Sequence, residues 1–197
     1  GAFGVVYGLQ QFTVDTANQA YSSYEGVLYN KDKTRLLQCP TEKQDVFTIP
    51  SGVETIGSCA FASSKVDSII ISSTVSHLEA CAFSQCTRLR SIYIPSTVLQ
   101  IDGGIFRGCV NLNNIVIDSL NPNYIVEDNI VYSINKDTLV SHHLASDRVE
   151  VSPTVKVIAE EAFTLSNITS VVLPEGVEEI QDAAFRYTPY LYTVILP

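Results

Sequence analysis

The chain has 197 residues, of which 46% are hydrophobic and 17% are charged, so it holds enough apolar material for a substantial core and too little charge for a disordered chain. Its formal net charge of −9 argues against a nucleic-acid groove, which needs a basic surface, and against binding to an anionic membrane. No apolar run is long enough to cross a bilayer, and no signal-peptide pattern opens the chain.

The first predicted element is a β-hairpin insert at about residues 21–40. In "YEGVLYNKDKTRLLQCP" (24–40), two apolar segments flank the polar turn "NKDK". Asn and Asp tolerate left-handed backbone and bond their own main chain, so the pattern predicts two strands joined by a tight turn. The hairpin would either continue a neighbouring sheet or stand off as a flap.

Short repeats follow this insert. The segments "IPSGVETIGSCAF" (49–61), "IPSTVLQIDGGIF" (94–106) and "LPEGVEEIQDAAF" (173–185) share the template I-P-x-x-V-x-x-I-x-x-x-A-F. The Phe of the template recurs five times, at spacings of 22, 23, 57 and 22: Phe61, Phe83, Phe106, Phe163 and Phe185. A period near 22 lies within the roughly 20–29 residues of leucine-rich repeats. The repetition predicts a solenoid, in which each repeat forms one turn.

Each repeat predicts two strands and one turn. The segment L-x-x-I-x-I, as in "LRSIYI" (89–94), alternates as a strand does, and V-x-x-I is a second short extended segment. The A-F segment is too short for a full helix, so we expect a single helical or 3₁₀ turn that buries the Phe. Because one repeat cannot bury these side chains alone, the repeats stack into a β-rich, right-handed solenoid with parallel strands.

A second insert is predicted at about residues 124–145. The stretch "EDNIVYSINKDTLVSHH" (127–143) places "NKD" at a turn again, and Tyr124 and Tyr132 lie 103 residues after Tyr21 and Tyr29. We therefore expect a single leucine-rich-repeat solenoid over residues 1–197, built as nearly two copies of a longer unit. The pattern starts with the tail of a repeat and stops at the head of another, so we expect a fragment of a longer array.

The repeats and the hairpin together resemble the BspA-type leucine-rich repeat family, also called the Treponema-type repeat. The resemblance rests on "FTIPSGVETIGSCAFASSKVDSI", "IPSTVLQIDGGIFRGCVNLNNIVI" and "YEGVLYNKDKTRLL", and it covers essentially the whole chain. It implies a secreted or surface-displayed protein of anaerobic, host-associated bacteria or of protozoan parasites. It also implies adhesion to host proteins such as fibronectin and fibrinogen.

The sequence contains none of the usual active-site motifs. The chain lacks G-x-S-x-G, H-E-x-x-H and a phosphate-binding glycine loop. His142 and His143 are adjacent, so in a strand they would point to opposite faces, which favours ordinary hairpin residues over a metal site. His77, in "VSHL", is expected to be solvent-exposed. We therefore predict a non-enzymatic protein without a catalytic, cofactor or metal site.

The five cysteines permit two interpretations. Cys59 and Cys81 occupy one template position, and Cys86 and Cys109 occupy another, so each pair lies in adjacent turns at roughly 5 Å, within disulfide reach. The odd number of cysteines and their absence from the other repeats favour thiols in a ladder of small side chains. Cys39 follows the first hairpin and has no evident partner.

A candidate ligand-binding face follows from the outward positions of the L-x-x-I-x-I strands. Its apolar content marks an interaction site, although β-branched residues are also common in strands that bind nothing. Tyr93 is the strongest single candidate, because aromatic residues dominate interface hot spots. We predict a protein ligand such as fibronectin, fibrinogen or another host surface protein, without nucleic acid or membrane insertion; the alternative is a structural spacer. The candidate face comprises Thr48, Ile70, Ser91, Tyr93, Asn114, Val116, Val172, Thr193 and Ile195.

Overall fold

The structure is a computed structural model that describes residue 3, residues 6–144 and residues 148–196. The last residue of the second predicted insert, Ala145, lies outside this part of the chain. The described strands, in chain order, are β1 Tyr21–Tyr24, β2 Val27–Asn30, β3 Arg35–Gln38, β4 Val46–Thr48, β5 Thr55–Ile56, β6 Ser68–Ile70, β7 His77–Leu78, β8 Ser91–Ile94, β9 Gln100–Ile101, β10 Asn114–Ile117, β11 Tyr124–Glu127, β12 Ile130–Ser133, β13 Thr138–Ser141, β14 Arg148–Glu150, β15 Val157–Ile158, β16 Ser170–Val172, β17 Glu179–Ile180 and β18 Thr193–Ile195.

The L-x-x-I-x-I segments form parallel sheets, as the alternation predicts. Strands β4, β6, β8 and β10 pair in register to make the first front sheet, and β14, β16 and β18 make the second front sheet. In every front-sheet strand except β18, the central inward-facing residue is buried, for example Phe47, Ile69 and Ile92. No strand pairing joins β10 to β14 among the described residues, so the front sheet is interrupted once.

The V-x-x-I segments and the inserts share a second set of sheets, which we call the side sheets. Each insert contains three antiparallel strands, one more than the predicted hairpin. The additional strand lies at the start of the insert and is joined to the next by a tight turn, at Glu25–Gly26 in the first insert and at Asp128–Asn129 in the second. The last insert strand then pairs in parallel with the next V-x-x-I strand, β3 with β5 and β13 with β15. The inserts therefore continue the side sheets and do not stand off as flaps.

The A-F segments form turns without any helix in the described residues, which corrects the predicted helical or 3₁₀ turn. The physical reason is visible around Phe61, where Cys59 and Ser63 both have left-handed backbone, with φ of 57° and 59°. This conformation breaks a helix and directs alternate N–H groups out of the turn, so those of Cys59, Phe61 and Ser63 donate to carbonyls of the next repeat. The turns thus form a third ladder of backbone hydrogen bonds along the solenoid.

The core of the solenoid contains a continuous stack of aromatic rings. Phe61, Phe83 and Phe106 are fully buried, and successive ring centroids lie 5.4 and 5.7 Å apart. The stack continues through two histidines, with His143 at 5.7 Å from Phe106 and His142 at 5.3 Å from Phe163. Because His142 and His143 follow β13 directly, they fill the place in the stack where the second insert enters the solenoid.

Side chains replace missing strand contacts where the second insert meets the preceding repeat. The buried Asn121 amide donates to the carbonyls of Pro95 and Val98, at 3.1 and 3.0 Å. The N–H of Ile101 donates to the Tyr124 hydroxyl at 2.9 Å. We call this region the junction. Its two sides belong largely to two separate clusters of buried apolar residues.

An ion pair also spans the junction. Arg107 donates from one side to both carboxylate oxygens of Glu161 on the other, at 3.0 and 3.1 Å. Glu161 reaches Arg107 because Gly104, with φ +65°, has no side chain, and a Cβ at Gly104 would overlap the Glu161 carboxylate. The junction is therefore held by specific side chains as well as by apolar packing.

A matched pair of tyrosines in the two inserts gives a testable difference in stability. The Tyr29 hydroxyl is buried and has no hydrogen-bond partner among the described residues, whereas the equivalent Tyr132 hydroxyl has a hydrogen bond from the backbone of Ser152. The residue that aligns with Ser152 is Pro50, which has no N–H to donate. We expect Tyr29→Phe to raise the free energy of unfolding by about 1 kcal/mol, because it removes an unsatisfied polar group.

Denaturant unfolding of both Phe variants provides the measurement. Tyr132→Phe is the matched control and should lower the free energy of unfolding by a similar amount, since it removes a hydrogen bond. A loss of stability in Tyr29→Phe equal to that in Tyr132→Phe would contradict this account of the orphan hydroxyl.

Candidate functional site

Four of the predicted face residues form one straight row on the first front sheet. Thr48, Ile70, Tyr93 and Val116 lie directly opposite one another in adjacent parallel strands. The side chains of Ile70 and Val116 are 43% and 42% exposed, although both are aliphatic. The row therefore presents a flat surface of apolar and aromatic groups to the solvent.

A second, more polar row runs beside the first. It contains Val46, Ser68, Ser91 and Asn114, which are again paired strand to strand. The Ser68 and Ser91 hydroxyls are hydrogen-bonded to each other at 2.7 Å, and Asn114 is exposed. The two rows together bring six of the nine predicted face residues onto one sheet.

Tyr93 is held in place by a residue that the sequence did not single out. Its hydroxyl donates to the Asp118 carboxylate at 2.8 Å. Hydrogen bonds from the Leu120 N–H and from Tyr93 lower the pKa of Asp118, and the bond to Asp118 raises the pKa of Tyr93. This hydrogen bond fixes the orientation of the Tyr93 ring, which reduces the conformational entropy that the side chain would lose on binding a ligand. The signal in the sequence was the match between Asp118 and Asp15 in the longer repeat.

The other three predicted face residues lie on the second front sheet. Val172 pairs with Ile195, and Thr193 pairs with Ser170. The residue before Val172 in its row is Glu150, whose side chain is 73% exposed and forms an ion pair with Arg148. The interruption between β10 and β14 and the charge at Glu150 separate these three residues from the row that contains Tyr93.

The histidines differ from their predicted positions. His77 is partly buried rather than solvent-exposed, and its Nε2 lies 3.0 Å from an Asp102 carboxylate oxygen. His142 and His143 are both buried in the core, since they follow the strand and do not alternate within it. Over the described residues, no group of three His, Cys, Asp or Glu side chains is arranged to hold a metal ion.

All five cysteines are free thiols in the structure. Cys86 and Cys109 are buried and donate to the carbonyls of Phe61 and Phe83, both at 2.9 Å. Cys39 is also buried, with its Sγ 3.6 Å from the Ser64 hydroxyl oxygen. Burial raises the pKa of Cys39 to about 12, so this thiol is structural.

The stacked repeats, parallel front and side sheets and buried Phe turns define a leucine-rich-repeat solenoid. The family model described as the BspA-type leucine-rich repeat region matches residues 39–136 and 123–197 in six copies. The chain therefore belongs to the BspA-type leucine-rich repeat family. Folds of this type typically serve as binding scaffolds.

Two solved structures extend the comparison. A leucine-rich cell surface protein from Faecalibacterium prausnitzii is 26% identical, with a TM-score of 0.66 over 79% of this chain. A leucine-rich repeat protein from Eubacterium ventriosum is 17% identical, with a TM-score of 0.54, and the likeness covers 92% of this chain and 71% of that one. The chain spans 42% of the length of the Faecalibacterium protein.

No curated protein sequence matches the chain significantly. Within the described part of the chain, no helix has the length and apolar character needed to cross a membrane.

Proposed function

We propose that this chain is a non-enzymatic protein-interaction module of a secreted or surface-displayed adhesin, and that it binds a host or matrix protein through the first front sheet. The observation that carries the proposal is the exposed row Thr48, Ile70, Tyr93 and Val116, which is flat, contiguous and largely apolar. Exposed apolar surface of this kind commonly marks an interaction site. The cell surface location is supported by the description of the Faecalibacterium relative.

The binding energy should be concentrated at Tyr93. Its ring lies at the centre of the row, between Ile70 and Val116, and the bond to Asp118 fixes its orientation. Large aromatic residues at the centre of an interface typically contribute most of the affinity. The second front sheet, with the charged pair Arg148 and Glu150 at its edge, is expected to contribute less.

The test is binding of the purified chain to immobilised fibronectin and fibrinogen, the ligands that the family resemblance implies. We expect saturable binding that Tyr93→Ala and Ile70→Ser each weaken by about 10-fold or more, with unchanged thermal stability. Leu99→Ser is the matched control, because Leu99 is 52% exposed just before β9 on the side sheet.

The outcomes separate two functions. If Tyr93→Ala and Ile70→Ser weaken binding no more than the control Leu99→Ser does, the ligand does not bind to the first front sheet. The absence of binding to both proteins well above micromolar concentration would exclude these ligands and favour the structural spacer.

A further inference from the structure

One template position in the Phe turns carries chemistry that the binding function does not use. The residue two before each Phe has left-handed backbone in every described repeat, and it is Cys59, Cys81, Gly104, Glu161 and Ala183 in chain order. We call this series the turn column. Its first two members are cysteines in adjacent turns, and both are partly exposed. They differ in this from the buried Cys39, Cys86 and Cys109.

The backbone aligns the two thiols. The N–H of Cys59 donates to the carbonyl of Ala80, and that of Phe61 donates to the carbonyl of Ala82, so the two turns are bonded on either side of the column. The φ angles of Cys59 and Cys81 are 57° and 58°, so both side chains leave the backbone in the same direction. Adjacent strands of one ladder lie about 4.8 Å apart, within the range of Cα separations that disulfides span.

A carboxylate lies next to the second thiol. Because Gly104 has no side chain, Glu161 reaches across its place in the turn column, and the Cys81 thiol donates to Glu161 Oε2 at 3.4 Å. Burial raises the pKa of the Cys81 thiol to about 12, so Cys81 is poorly suited to attack first. The hydrogen bond to Glu161 holds the Cys81 side chain in place for a second step.

We propose that Cys59 and Cys81 form a redox-active pair that a low-molecular-weight disulfide, such as oxidised glutathione, converts into a disulfide bridge between adjacent turns. The Cys59 thiolate attacks one sulfur of the reagent, and one reagent thiol leaves. Cys81 then loses its proton to solvent base, and its sulfur attacks the Cys59 sulfur of the mixed disulfide. The second reagent thiol leaves and takes a proton. Two protein thiols are oxidised, and one small disulfide is reduced to two thiols.

The experiment treats the folded 197-residue chain with oxidised glutathione at pH 8 and then alkylates the remaining thiols in denaturant for mass spectrometry. The expected product has three alkylated cysteines, no bound glutathione and a cross-linked peptide pair that contains Cys59 and Cys81. A rise in Tm of about 5 °C should accompany the bridge, because the cross-link lowers the conformational entropy of the unfolded chain.

Single variants test the order of the two steps. Cys81→Ser should stop at one glutathione adduct on Cys59, whereas Cys59→Ser should react at least 10-fold more slowly. Cys109→Ser is the matched control, since Cys109 is buried, and it should form the bridge at the normal rate. Five alkylated cysteines after treatment of the unmodified chain, or stable adducts on both Cys59 and Cys81, would overturn the proposal.

Discussion

Acidification from pH 7 to pH 4 should strongly destabilise this protein, because two histidines are buried in its aromatic stack. Burial lowers the pKa of both His142 and His143 to about 4, and the charge of His143 adds to the effect on His142. In the unfolded chain a histidine takes up its proton near pH 6.5. The stability that the neutral histidines contribute is therefore complete above about pH 6.5 and is lost as the pH falls towards 4.

The expected loss is about 3 kcal/mol for one histidine alone, since each unit of pKa difference corresponds to about 1.4 kcal/mol. Denaturant unfolding at intervals between pH 7.5 and 4 measures it. His142→Phe is the informative variant, because Phe preserves the stack on Phe163. The Nδ1 atom that it removes has no hydrogen-bond partner in the described part of the chain. The variant should retain the stability at pH 7.5 and lose only about half as much on acidification. An identical pH dependence in this variant would assign the acid sensitivity to other groups.

Replacement of a central ring in the stack should cost more than any other single change considered. Phe83 is fully buried between Phe61 and Phe106, and the centroid of its ring lies 5.4 and 5.7 Å from the centroids of those two rings. Phe83→Ala is expected to lower the free energy of unfolding by about 3–5 kcal/mol, through lost burial and the cavity that remains. Thermal and denaturant unfolding measure this change, which corresponds to a fall in Tm of about 10 °C.

Phe185→Ala provides the comparison for Phe83→Ala. Phe185 is only partly buried and stacks on Phe163 alone among the described rings, at 4.8 Å. Its replacement should cost about half as much, because stability in a solenoid is a sum of contacts between neighbouring repeats. Equal costs for the two substitutions would show that the position in the stack does not matter.

The regular parts of the fold could be predicted from local patterns. The alternation in L-x-x-I-x-I located the front-sheet strands, and "NKD" located the insert turns, because both signals depend on a few neighbouring residues. The turns around Phe61 and Phe83 were predicted wrongly as helical. Their left-handed residues are Cys, Ser and Gln, types that carry no strong signal for this conformation, and the next repeat stabilises it through backbone hydrogen bonds.

The features that depend on contacts between distant residues could not be predicted. His142 and His143 read as hairpin residues because nothing in their immediate sequence indicates that Phe106 and Phe163 flank them. Similarly, the predicted ligand face combines residues from strands of both front sheets. The interruption between β10 and β14 depends on how the second insert packs, and no repeat template contains that information.

The junction also determines how the chain would respond to mechanical force. In a solenoid pulled along its axis, the hydrogen bonds between turns are loaded one turn at a time, so the array extends in small steps. At the junction no strand pairing joins β10 to β14 among the described residues, and the load passes through side chains that include Asn121, Tyr124, His143 and the Arg107–Glu161 pair. We expect the chain to yield there first under such a load, and each half could lengthen afterwards with its own part of the aromatic stack still folded.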